Sequence, residues 1–167
     1  MQSFFRYGQS KRNCLLIFAA QIFLTICCPA QPKTIDSLKK GLSGLTDTPR
    51  VDCLNQLSYQ YILAEKKDIA LHYASLAYQE SKQSNYIHGI AESLSLQSQI
   101  AKHFDDDFIQ SEVLGKESLR WYEQTANKKG IDNLYSYLIY TVFSQSRFDE
   151  AISYTEKEYA FAKQNSN

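Results

Sequence analysis

The chain has 167 residues and a formal net charge of zero, with 22% charged, 44% hydrophobic and 13% aromatic residues. That is too apolar and too aromatic for a disordered chain, and the balanced charge removes the usual electrostatic basis for nucleic-acid binding. Three Pro and six Gly leave few breakers, which favours long helices over short strands joined by tight turns.

The first element is a targeting segment. Arg6, Lys11 and Arg12 form a basic start with no acidic residue near it. Residues 14–28 follow as an apolar run broken only by Gln21 and Thr25, and then come Pro29 and Ala30. A basic region, an apolar stretch and a small residue at its end describe a secretory signal peptide over residues 1–30, with cleavage after Ala30. The run falls short of the roughly 20 apolar residues that span a bilayer as a helix. A retained membrane anchor through residues 14–28 is therefore the alternative, and no membrane span is expected in the mature chain. Lipidation at Cys27 or Cys28 ranks lower, because Leu24-Thr25-Ile26 offers no small residue where a lipoprotein signal wants one. The expected location is exported, in the periplasm or cell envelope. Removing the segment takes three of the 18 basic residues and none of the 18 acidic ones, leaving about −3. It also leaves Cys53 as the remaining cysteine, suited to a small apolar core position rather than an internal disulfide.

Next, Ile35, Leu38, Leu42 and Leu45 give an amphipathic helix that Thr46-Asp47-Thr48-Pro49 stops. Residues 31–50 read as an N-terminal capping half-unit and linker. From residue 51 onward the sequence repeats at 40 or 41 residues. Ala70, Ser111 and Ala151 align, as do Tyr73, Leu114 and Tyr154, and Ala74, Gly115 and Thr155. Gly89 and Gly130 recur in step, as do the acidic turns at Asp68, Asp107 and Asp149. A fixed period of this size signals stacked supersecondary units, here about 51–89, 90–130 and 131–167.

Each unit reads as two helices. Val51, Leu54, Leu57 and Tyr61 lie on one face of the first helix of unit one, and Ala70, Ala74 and Ala77 form a small-residue ridge on the second. Ile90, Leu94 and Ala101 mark the first helix of unit two, with Ser111, Gly115 and Ser118 repeating the ridge. Leu134, Leu138 and Thr141 mark the first helix of unit three, and Ala151 opens the second. Small ridges let a neighbouring helix approach closely. The last helix is expected over about 148–163, with Ile152, Tyr159 and Phe161 lacking a covering unit. That predicts either self-association or a chain that is the N-terminal piece of a longer architecture.

Leu57-Ser58, Tyr61, Ala70 and Ala77 fall at the spacing of the tetratricopeptide repeat, and the chain resembles that family from about residue 35 to residue 163. The period is similar to its extended variant of about 40 residues, found in many bacterial regulatory proteins. Leu54, Ser58, Ala74 and Lys82 depart from the family's Trp, Gly, Phe and Pro positions, and Glu158 breaks the last Ala position of unit three. The resemblance implies an all-α, right-handed α-solenoid of antiparallel helix hairpins, about three units plus the half-unit. It also implies a concave groove lined by first helices that binds a peptide or helical segment. Carried over by position, the groove residues are Asp52, Asn55, Tyr59 and Ile62 in unit one, and Glu92, Ser95, Gln99 and Lys102 in unit two. Asn133, Ser136, Tyr140 and Phe143 are their counterparts in unit three, given one inserted residue in the unit-two turn. Tyr59 holds the place where the variant that clamps a C-terminal carboxylate has Asn, so that variant is not supported.

Catalytic patterns are missing from the sequence. There is no glycine-rich phosphate loop, no Gly-x-Ser-x-Gly, no Cys-x-x-Cys and no His-Glu-x-x-His. The cluster His103-Phe104-Asp105-Asp106-Asp107 has metal-ligand types, but it sits at a helix junction where acidic residues are solvated and cap the next helix. Trp121, Tyr122, Tyr135, Tyr137 and Tyr140 suit bulky knobs between helices better than a stacking platform for bases. The expectation is a non-enzymatic exported scaffold with a protein or peptide partner, no cofactor, no metal and no nucleic acid. The alternative is the periplasmic sensor part of a bacterial signalling protein, of histidine kinase or transcription regulator type, without its output domain.

Overall fold

The computed structural model describes residues 34–125 and 127–165. All lie in the second of the chain's two units, Thr34–Asn167. The signal-peptide segment, residues 1–30, lies outside the described residues.

Seven helices and no strand occur among the described residues: α1 (Ile35–Leu42), α2 (Asp47–Leu63), α3 (Lys67–Gln83), α4 (Ile87–Asp105), α5 (Phe108–Tyr122), α6 (Lys128–Phe143) and α7 (Phe148–Asn165). The chain is all-α. None of these helices is long and apolar enough to cross a membrane. The two-helix units begin earlier than their first apolar positions imply: α2, α4 and α6 start at Asp47, Ile87 and Lys128 rather than near 51, 90 and 131. Apart from the buried Gly89, the residues ahead of those positions are exposed or only half-buried, so hydrophobic periodicity registers each helix one turn late.

Helix ends are set by a device the apolar pattern does not carry. Glu65, Asn85, Asp106 and Ser146 each take the left-handed conformation, with φ between 50° and 61°. After three of them the chain closes a six-residue bond back onto the helix: Lys66 N–H to Tyr61 C=O (2.9 Å), Tyr86 to Ser81 (2.9 Å) and Arg147 to Val142 (3.1 Å). At Asp106 the bond is one residue wider, from Asp107 N–H to Ala101 C=O at 3.1 Å. The inserted residue of unit two therefore sits at the end of α4. Ahead of it, units two and three are offset by 41; after it, by 40. Asp107 and Asn127 then cap α5 and α6 by accepting from Gln110 N–H and Gly130 N–H, both at 2.9 Å.

Packing follows the small ridges. Ala70, Ala74, Ala77 and Ser81 on α3 are fully buried, as are Ser111 and Ser118 on α5. Ser58 Oγ donates to Ala70 C=O at 2.9 Å, and its counterpart Ser98 donates to Ser111 C=O at 2.6 Å. The same bond thus closes the first two hairpins. Leu54, Leu57, Leu94 and Leu96 fill the spaces between, and Cys53 is a buried core residue. Leu38 of α1 joins the cluster of Cys53, Leu57, Tyr61 and Ile62. In α7 the ridge fades: Ala151 is buried, but Thr155 is exposed.

Each helix packs against the next in chain order. Beyond that, α2 touches α4 and α4 touches α6, whereas no two of α3, α5 and α7 touch. By these contacts α2, α4 and α6 are termed the inner row, and α3, α5 and α7 the outer row.

Candidate inner-row groove

The residues expected to line a groove fall on α2, α4 and α6, and the structure separates them into three environments. Asn55 and Ile62 are buried at 4% and 8% exposure and do not face solvent. Ile62 packs into the cluster with Leu96 and Ile100 of α4, because a first helix in the inner row is covered by the next first helix. Asn55 is enclosed in the same way, and its amide has no hydrogen-bond partner among the described residues.

Asp52 and Glu92 are half-buried and engaged. Tyr86 Oη donates to Asp52 Oδ1 at 2.9 Å, and Tyr122 Oη donates to Glu92 Oε2. Tyr86 follows α3 and Tyr122 ends α5, and each reaches back to the first helix of its own hairpin. Burial, the Asp52 hydrogen bond and the nearby Asp52 and Glu92 charges push the Tyr86 phenol up to about 12. Burial raises the Tyr122 phenol too, with the Glu92 charge and hydrogen bond adding to it. These carboxylates act as ties within hairpins.

The remaining positions form an accessible surface. Tyr59 is 46% exposed, Tyr140 60% and Phe143 56%. Asn133 and Ser136 are exposed, and Ser136 Oγ donates to Glu158 of α7 at 2.6 Å. On α4, Gln99 Nε2 donates to Ser95 Oγ at 3.4 Å. Lys102 Nζ sits 3.9 Å from the Tyr137 ring centroid and 4.3 Å from that of Tyr140. Burial lowers the Lys102 ammonium to about 8. Lys102 and Tyr140 thus converge where α4 meets α6, with Phe143 one turn further along α6.

Three surface residues were not expected from the sequence. Tyr137 is fixed by its hydroxyl, which donates to Ser98 C=O at 3.0 Å and bonds Ser111 Oγ at 2.8 Å. Leu63 is 60% exposed at the end of α2, and Phe148 meets the Phe143 ring edge-on at 5.3 Å. Tyr137 stands at the place of Gln56 and Leu96, so the repeat register gives no sign of its hydrogen bonds. His103 of the acidic cluster bonds Glu65 through Nε2 at 2.9 Å, and Lys67 pairs with Asp105, so the cluster ties the α2–α3 turn to the α4–α5 turn.

A different ionic group braces the last hairpin. Glu112 of α5, 6% exposed, receives Lys116 Nζ at 2.5 Å and the Arg147 guanidinium. Burial alone pushes the Glu112 carboxyl up, but the hydrogen bonds from Arg147 and Lys116 outweigh it and hold it below its ordinary value. Arg147 also reaches Glu150 of α7, with Nε donating to Oε1 at 2.6 Å. The outer row carries a separate open cleft of about 530 Å³ along α5, lined by Val113, Arg120 and Trp121 among others.

Compared with known proteins, the chain matches no family model, no curated protein and no solved structure.

Proposed function

We propose that this chain is an exported, non-enzymatic interaction scaffold, built as a tetratricopeptide-like right-handed α-solenoid, that binds a peptide or helical segment along its inner row. The observation that carries the reading is the asymmetry of the two rows. First helices touch one another and second helices do not, which supports a stack bent toward α2, α4 and α6. Among the described residues, three of the five exposed aromatic side chains lie on that same row, Tyr59, Tyr140 and Phe143; the other two, Phe148 and Tyr159, lie on α7. Exposed aromatic side chains on a ligand-facing row are a usual mark of an interaction site. The repeated serine-to-carbonyl bond in the first two hairpins supports the repeat architecture independently of the apolar pattern.

Peptide display against the chain tests this. Enriched peptides should lose affinity on Tyr59→Ala and Tyr140→Ala, and keep it on Ile109→Ser in the outer row. Peptides that respond to Ile109→Ser and ignore both tyrosines would move the site to the other face.

Self-association through α7 belongs to the same reading. Phe148, Ile152 and Tyr159 are 53%, 58% and 69% exposed along one stripe. Their α5 counterparts Glu112 and Leu119, at the places of Ile152 and Tyr159, are covered at 6% and 8%.

A further inference from the structure

Resting on the inner-row reading above, we propose that Lys102, seated between Tyr137 and Tyr140, is the anion-binding point of the groove and takes a side-chain carboxylate of an acidic peptide with apolar neighbours.

The case begins with charge. Arg50, Lys67, Lys116 and Arg147 each pair with an Asp or Glu, whereas no carboxylate among the described residues lies within ion-pair distance of Lys102. Two acidic residues share the groove positions of the inner row, Asp52 and Glu92, and both already accept from a tyrosine hydroxyl. Lys102 is half-buried, so it has given up part of its hydration without gaining an anion. The two ring faces repay some of that loss through cation–π attraction, but they provide no lone pairs for the ammonium N–H groups. An entering carboxylate supplies those acceptors as charge-assisted hydrogen bonds.

The walls are prepared in advance. The Tyr137 hydroxyl is bonded to Ser98 C=O and Ser111 Oγ, which fixes its ring against the ammonium. A preset wall spares the binding partner an ordering cost. Apolar surface flanks the point on both sides: Tyr59 and Leu63 on α2, Phe143 on α6 and Phe148 opening α7 are all exposed. An acidic residue set among apolar ones matches this arrangement, whereas a strongly basic segment would place like charge against Lys102.

The test is a cycle between one protein substitution and one peptide substitution. The probes are short acetylated and amidated peptides of Leu, Phe and Glu, and twins with every Glu replaced by Gln, titrated against the full chain by calorimetry. The Glu peptides should bind about tenfold tighter than their twins. Lys102→Met should erase that preference while leaving the twins' affinity unchanged, and Lys102→Arg should keep it. Lys102→Met should also melt no lower than the parent chain, because it removes a desolvated charge without a carboxylate partner. Equal weakening of both peptides by Lys102→Met would overturn the proposal. Twins that bind as well as the Glu peptides, with Tyr59→Ala weakening both, would overturn the anion point and leave the groove standing. Binding by neither would overturn both. A Gln twin with a free C-terminal carboxylate that outcompetes the Glu peptides would replace the side-chain carboxylate with a terminal one and sink the proposal as stated.

Discussion

Gly89 is placed where the first turn of α4 presses on the hairpin before it. A Cβ built there would lie 2.5 Å from Ser81 Oγ, 2.5 Å from Tyr86 Cδ1 and 2.7 Å from Val51 Cγ1. Ser81 and Val51 are themselves buried at 0% and 1%, so they have nowhere to go. Overpacking a tight site costs about 1–3 kcal/mol. Gly89→Ala should therefore lower the urea midpoint even though alanine is the better helix former, and an unchanged midpoint would show that α4 can shift. Ser146 presents the opposite case. It holds φ of 61° in the turn before α7, a conformation that strains any residue with a Cβ. Relief of that strain, less the extra freedom glycine gains when unfolded, leaves Ser146→Gly more stable by roughly 0.5–1 kcal/mol. Denaturation of the two variants side by side checks both signs.

At the scale of helices, the apolar periodicity carried most of what is observed. Val51, Leu54, Leu57 and Tyr61 are all buried on one face of α2, and Ala70, Ala74 and Ala77 all vanish into the α3 ridge. Other features could not be read that way. Periodicity marks a face as apolar or polar, but it does not say which neighbour covers it. Asn55 and Lys102 both fall at groove positions by the repeat register, yet Asn55 is enclosed and Lys102, at the place of Ile62, is wedged between two rings. The left-handed turn residues were equally hidden, since Glu65 and Ser146 are not the glycines such turns favour. The Tyr86 tie yields a pH prediction at this scale. The folded chain raises the Tyr86 phenol from the ordinary 10 to about 12, so the neutral form is favoured in the folded state. Stability from that group is complete below pH 10 and drains away as pH rises from 10 toward 12. Tyr86→Phe should cost about 1 kcal/mol at neutral pH, for the lost hydrogen bond. It should also flatten the decline of stability across the alkaline range. Thermal melts from pH 8 to 12 compare the slopes, and parallel slopes for the two proteins would mean the Asp52 contact does not persist in solution.

For the molecule as a whole, the outer face of α7 is the surface on which association between copies is to be tested. Leu119 of α5 sits under α6 at 8% exposure, while Tyr159, at the equivalent place in α7, is 69% exposed. Glu112 and Ile152 make the same contrast, 6% against 58%, with the added difference that the buried member is charged and braced by Lys116 and Arg147. An apolar stripe of Phe148, Ile152 and Tyr159 therefore lies open on a helix whose only helical neighbour among the described residues is α6. Burying one large apolar side chain is worth about 1.5–3 kcal/mol, so a few of them approach the cost of bringing two copies together. The expected result is a weak, concentration-dependent association in sedimentation velocity. Ile152→Glu with Tyr159→Glu should shift it to monomer without lowering the melting temperature, since neither side chain supports the fold. Val113→Glu, a control on the exposed face of α5, should leave the association unchanged. A parent chain that stays monomeric at every concentration would remove α7 as a contact surface, and association abolished equally by the α5 control would move the contact to the outer row.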